Sequence, residues 1–250
     1  TMDSASPATD TIIEQVFTDY DFSSPDQSFG SGSQFESCTF NASSWSGAKW
    51  SEAAFINCTF LNCNLASAEF SETRFDQCRF SEPDLSAATI FRFCKLVQCT
   101  LQECDLSGCD LSSSLWFGSH FERCRARAVK ATEFSSTKMI NEHLPLSELT
   151  ANQTDFSFSD FSGANLSYAN FSDCNFENGI LAAANLQCAA LTDCNLLDIE
   201  WHDAVLRELD LRGAMFNTIN PKTLDLKDVV ISPLQVEMLS EHLGLIIQFD

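Results

Sequence analysis

The feature that most limits the folds open to this chain is a large apolar residue at every fifth position. It runs through Phe35, Phe40, Trp45, Trp50, Phe55, Phe60, Leu65, Phe70, Phe75, Phe80, Leu85 and Ile90. After one extra residue it resumes at Leu96, Leu101, Leu106, Leu111, Trp116 and Phe121, then weakens at Ala126 and Ala131. It returns at Phe156 and holds to Phe216. An amphipathic helix repeats near ~3.6 residues and a half-buried strand at ~2, so neither accounts for the spacing. A fixed short period belongs to a solenoid, whose units cannot bury their own apolar residues and are stabilised by stacking.

Two residues before each large position sits a small one, as at Ala48, Ala53, Cys58, Cys63, Ala68, Ala164, Ala169 and Ala184, so both point inward. The other three positions of each unit are mostly polar and suit a solvated wall. Of the 12 cysteines, only Cys188 lies off the small inward position. They read as buried, reduced substitutes for alanine rather than disulfides. A metal site on Cys94, Cys99, Cys104 and Cys109, encircling one coil, is the sharper reading. Zinc sites, however, prefer closely spaced cysteine pairs and bonds of ~2.3 Å. A nucleophilic cysteine needs an adjacent base, and His120, His143, His202 and His242 are scattered. No phosphate-binding glycine loop or hydrolase motif occurs. No catalytic residue, metal or cofactor is expected, and the chain reads as a non-enzyme.

The pattern A/C-D/N-L/F-x-x, clearest in SGANLSYANFSDCNF at 162–176, resembles the pentapeptide-repeat family over roughly residues 31–230. The resemblance implies an all-β solenoid, a right-handed quadrilateral β-helix with about 20 residues per coil. It would stack Cys38, Cys58 and Cys78 on one face, and likewise Cys104 with Cys124 and Cys174 with Cys194.

With 35 acidic and 14 basic residues the net charge is −21, which excludes direct nucleic-acid binding through a basic patch. The sequence has no apolar run of ~18 residues and opens on no secretory leader, so a soluble cytoplasmic protein is expected. Residues 1–30 hold six acids and no base and are expected to be an acidic, partly disordered extension, though Phe17 and Phe22 can begin a partial coil. Residues 31–134 carry 12 acids against 9 bases, and residues 154–220 carry 10 against 2. Asp160, Asp173, Glu177, Asp193, Asp198, Glu200, Asp203, Glu208 and Asp210 supply most of that second group. Solubility alone explains an acidic surface. The alternative is an acidic rod of about eight coils at ~4.8 Å each that occupies a groove built for DNA.

The segment 231–250 contains ISPLQVEMLSEHLGLII, with Ser232 as N-cap, Pro233 at the first helical position and Gly244 past the end. Leu234, Met238, Leu239 and Leu243 give this helix an apolar face, which either caps its own coil or joins a second copy. The tail, together with CRA at 124–126, Met139-Ile140 and NLSYANFS at 165–172, resembles the quinolone-resistance (Qnr) branch of the family. That branch implies homodimerisation through the C-terminus and a projecting loop that contacts the type II topoisomerase. Here residues 135–153 leave the frame, and Met139, Ile140, Leu144, Leu146 and Leu149 make that loop apolar. Ser86 to Phe93 either form a second, smaller loop or keep the repeat with one inserted residue. The expected function is a DNA mimic that binds DNA gyrase or topoisomerase IV and protects it from quinolones or similar poisons. The alternative is a structural or scaffold protein without topoisomerase activity.

Overall fold

A unit with two inward residues and three outward ones must turn after every few residues to bury the next pair, which bends the chain around an axis. The computed structural model describes residues 11–23, 29–141 and 144–244; the side chains of residues 140, 141, 144 and 241 lie outside that description. Within it the chain winds into a β-solenoid of about ten turns, four short parallel segments to a turn. One side of the square stacks Phe17, Phe40 and Phe60 in register and ends on Leu196 and Phe216. The count exceeds the expected eight partly because residues 11–23 supply three sides of a further turn. Strands Thr11–Ile13 and Val16–Thr18 pair with the next coil, and Phe22 stacks on Trp45 at 4.2 Å.

The corners lie two residues after each large inward residue and adopt left-handed backbone, with φ of 52° at Asp173, 57° at Asp193 and 56° at Asp198. That conformation costs a non-glycine residue about 1 kcal/mol or more, least for Asp and Asn, which favours polar residues at the corners. Inter-coil hydrogen bonds hold the corners in place, as where Asp193 N–H donates to Arg212 O at 3.0 Å. Gly213 occupies the corner below Asp193 because an added Cβ would fall 1.9 Å from Asp193 Oδ1.

The core is aromatic in the N-terminal half, where Phe40 stacks on Phe60 at 4.7 Å and Phe60 on Phe80 at 4.8 Å. Leucine dominates further along. Cys38, Cys58, Cys78, Cys104 and Cys124 form one continuous column, since the first interruption restores the register. Each thiol sits near backbone carbonyls of the adjoining coil, as with Cys78 Sγ to Phe55 O at 3.2 Å and Cys124 Sγ to Leu101 O at 3.2 Å. Ser159 Oγ makes the equivalent bond to Ala126 O at 3.0 Å. The small position thus accepts Ala, Ser or Cys, and the polar ones donate.

The first interruption lies earlier than the sequence frame placed it. Phe91, fully buried, takes the inward place, while Leu85 is 40% exposed and Ile90 pairs outward with Asp110. The step between stacked residues here is 26 instead of 20, because Ser81–Ala88 bulge from the corner after Phe80. Leu85 and Ile90, counted inward by the repeat frame, are therefore not core residues; of the two readings of Ser86–Phe93, a single inserted residue is overturned, and the extra residues form a small loop that begins earlier, at Ser81. Any apolar residue near the right spacing satisfies a five-residue count, and the count cannot register an insertion made of such residues.

At the second interruption the step is 30. Only the antiparallel hairpin strands Thr137–Asn141 and Leu144–Ser147 leave the coil, and Thr150–Asn152 is back in the ladder between His120–Glu122 and Asn170–Ser172. Leu149, expected on the exposed loop, is 2% exposed in the core. The coil exchanges sizes: Val129, Phe134 and Leu149 fill small positions while Ala126, Ala131, Ser136 and Ala151 take large ones, all buried. The swap leaves a void of only about 10 Å³ beside Phe134 and Leu149.

Candidate protein-interaction surface

The hairpin grows from a corner because Ser136 sits where a large residue would anchor the wall. Its hydroxyl donates to Asn165 O at 3.3 Å and accepts from Ser147 Oγ at 3.0 Å, which ties both ends of the excursion to the coil. Thr137 Oγ1 donates to Ser167 O at 3.3 Å, and Lys138 Nζ lies 5.8 Å above the Phe117 ring. Beyond this root Met139 is 54% exposed and Leu146 37%. Tyr168, exposed on the corner next to Ser167, extends the apolar surface; the repeat frame alone gave it no distinction. The side chains of Ile140 and Leu144, also expected here, fall outside the described residues.

Acidic residues surround the coils that follow. Asp193, Asp198, Asp203 and Glu208 occupy four successive corners of one turn, all with positive φ. Asp160 and Glu200 lie on one side, two coils apart with Ile180 between them, and Asp210 on another beside Ala190. Asp173 stands on the corner above Asp193, and Glu177 follows Phe176. The nine acids therefore form a girdle around the axis rather than a stripe. Among the described residues, Asp160, Asp173, Glu177, Asp193, Asp198 and Glu200 have no ion-pair partner, while Arg212 pairs with Asp210 at 2.6 Å and Arg207 with Glu208 at 3.2 Å. The hydrogen-bonded Arg212 holds the Asp210 carboxyl below its usual range. In the N-terminal half, by contrast, Lys49 and Lys95 share Glu69, and Arg92, Arg123 and Arg125 each have a carboxylate.

Past the girdle the solenoid end is closed by a 3-10 turn, Pro233–Gln235, and a helix, Val236–Leu243. Gln235 explains the closure: its Nε2 donates to Leu211 O at 2.6 Å and Ala214 O at 2.7 Å, and its Oε1 accepts from Ser232 N–H at 2.7 Å. Met238 and Leu239, expected at a dimer contact, pack against the chain's own core. Leu234 at 84% exposure and Leu243 at 46% face away from it, as does Val236 at 47%.

Eleven of the cysteines lie in the core rather than on these surfaces. Cys94, Cys99, Cys104 and Cys109 do encircle one turn, each against its own wall, with Cys104 Sγ 3.4 Å from Phe75 O and Cys109 Sγ 3.6 Å from Phe80 O. Among the described residues no group of three or more His, Cys, Asp or Glu is disposed to hold a metal. Burial pushes the thiols of Cys63 and Cys99 up to about 12.

Models of the pentapeptide repeat region match residues 53–134, and of the eight-copy pentapeptide repeats residues 146–178 and 184–220, together more than half the chain. The chain belongs to the pentapeptide-repeat proteins. Its fold is that of QnrB1, described as a plasmid-mediated fluoroquinolone resistance protein. A trypsin-treated QnrB1 variant superposes with a TM-score of 0.63 at 21% identity, covering 86% of this chain and 99% of that one. Full-length QnrB1 gives 0.59 at 20% identity, covering 94% and 100%. No curated protein matches the sequence. No helix among the described residues is long and apolar enough to cross a membrane.

Proposed function

We propose that this protein is a non-enzymatic DNA mimic that binds a type II topoisomerase, DNA gyrase or topoisomerase IV, and protects it from quinolones or similar poisons. The observation that carries the reading is the girdle of carboxylates around the solenoid, six of the nine without an ion-pair partner among the described residues, next to an apolar hairpin. A duplex offers a topoisomerase acidic charge around its circumference at one charge per ~1.7 Å of axis, and the girdle reproduces its sign and circumferential spread at lower density. The likeness to QnrB1 supports the same reading. In it the girdle enters the basic DNA-binding saddle, and Met139, Ile140, Leu144 and Leu146 reach the cleavage site and destabilise the drug-stalled complex. Two copies joined through Leu234, Val236 and Leu243 bring both girdles to the centre of one long rod. A cytoplasmic location follows from the partner. The test is equilibrium binding of the labelled chain to purified gyrase and topoisomerase IV. Submicromolar binding displaced by duplex DNA is expected; no binding to either would favour the scaffold reading.

A further inference from the structure

Beside the Ser81–Ala88 bulge lies a recess of about 720 Å³, within the size range of small-molecule sites. Arg79, Asp105, Arg125 and Asp155 line it from successive coils. Arg125 reaches Asp105 at 3.4 Å and Arg127 reaches Asp155 at 3.8 Å. Arg79 has no carboxylate within ion-pair distance among the described residues. Ser107 lines the same recess at 5% exposure, and its hydroxyl has no hydrogen-bond partner. A buried hydroxyl left unpaired is costly and uncommon, and calls for an acceptor. The bulge shields this point: Leu85 packs so closely over Gly108 that an added Cβ there would lie 3.1 Å from Leu85 Cβ. Pro83, Leu85, Ala128 and Phe158 supply apolar wall, with Arg127 stacked 5.4 Å from the Phe158 ring.

We propose that this recess is a binding site for a small organic carboxylate. A guanidinium has only donors to offer and suits the fork of a carboxylate or phosphate. The Ser107 O–H supplies a second donor, and Phe158 with Leu85 receives the apolar remainder of the ligand. Glu82, on the same lining, opposes added negative charge and so favours a monoanion over a phosphate dianion. Binding here is local: the net charge of −21 repels anions at long range, so it is the recess that must hold the ligand.

The experiment is an amide chemical-shift titration of the full chain with sodium benzoate and, separately, with inorganic phosphate at constant ionic strength. Saturable shifts at Ser107, Gly108 and Ala128 are expected with benzoate, in the ~1 mM range or tighter. Arg79→Gln and Ser107→Ala should each weaken the apparent Kd about tenfold while the rest of the spectrum stays native, and Arg92→Gln should leave it unchanged. Equal saturation by phosphate would assign the site to oxyanions generally and overturn its preference for a carboxylate. No saturation by either ligand, or undiminished affinity in a natively folded Arg79→Gln protein, would overturn the site itself.

Discussion

Leu149 and Ala151 show how one residue can break a repeat and keep its core. The count of five places Ala151 where Phe121 and Phe171 stand in the neighbouring coils, and Leu149 supplies the missing volume from the small position. Leu149→Ala should cost about 2–5 kcal/mol in denaturant unfolding. Restoring the frame with Leu149→Ala and Ala151→Leu together should recover most of that. A double variant no better than the single would contradict the size exchange. The buried thiols give a pH signature of defined sign. Their folded values lie above the unfolded one, near 9.0 in the free chain and about 12 for Cys63 and Cys99. Stability is therefore full below pH ~9 and falls as pH rises towards 12, by up to about 1.4 kcal/mol per pH unit for each group. Cys63→Ser with Cys99→Ser should flatten the alkaline limb, and a slope equal to that of the parent would contradict it. The inward place of these cysteines was legible from spacing alone. Their backbone hydrogen bonds were not, since spacing says nothing about the carbonyl of the coil above.

At the scale of elements, the helix punctuation at Ser232, Pro233 and Gly244 was legible because caps are local chemistry. The role of Gln235 was not, because its two acceptors lie 24 and 21 residues earlier. Gln235→Ala leaves Ala214 O unpaired and Leu211 O with only the Ala214 N–H as donor, and should cost about 2 kcal/mol. Amide exchange should then speed up in the last coil before it does in the first. Uniform acceleration along the rod would contradict Gln235 as the local closure. The hairpin was legible as a departure from the frame, but its limits were set too wide: Ser136, Leu149 and Ala151 belong to the coil. A useful deletion therefore removes residues 139–145 and joins Lys138 to Leu146 through a two-residue turn. That protein should stay folded, with an unchanged melting temperature within a few degrees, and should bind topoisomerase without relieving poisoning. Full rescue by it would transfer the activity to the girdle.

At the scale of the whole molecule, the contrast between a nearly balanced N-terminal half, with 12 acids to 9 bases over residues 31–134, and an acidic C-terminal half, with 10 to 2 over residues 154–220, gives the rod a polarity. Composition revealed the charge, and residue counts by segment revealed its position. Its arrangement as a ring needed the left-handed corners, which bring acids five residues apart in sequence to four different sides. If the girdle competes for a DNA groove, affinity for the topoisomerase should fall steeply with added salt. Replacing Asp193, Asp198 and Asp203 with Asn, which keeps the corner geometry, should weaken binding and its salt dependence together. The most direct test of the central claim is gyrase supercoiling in the presence of an inhibitory fluoroquinolone, with and without the intact protein. Supercoiled product should return as the protein is added, and return less with the Asn variant. Inhibition unchanged at every concentration of a protein that is folded and dimeric, with both gyrase and topoisomerase IV, would contradict that claim.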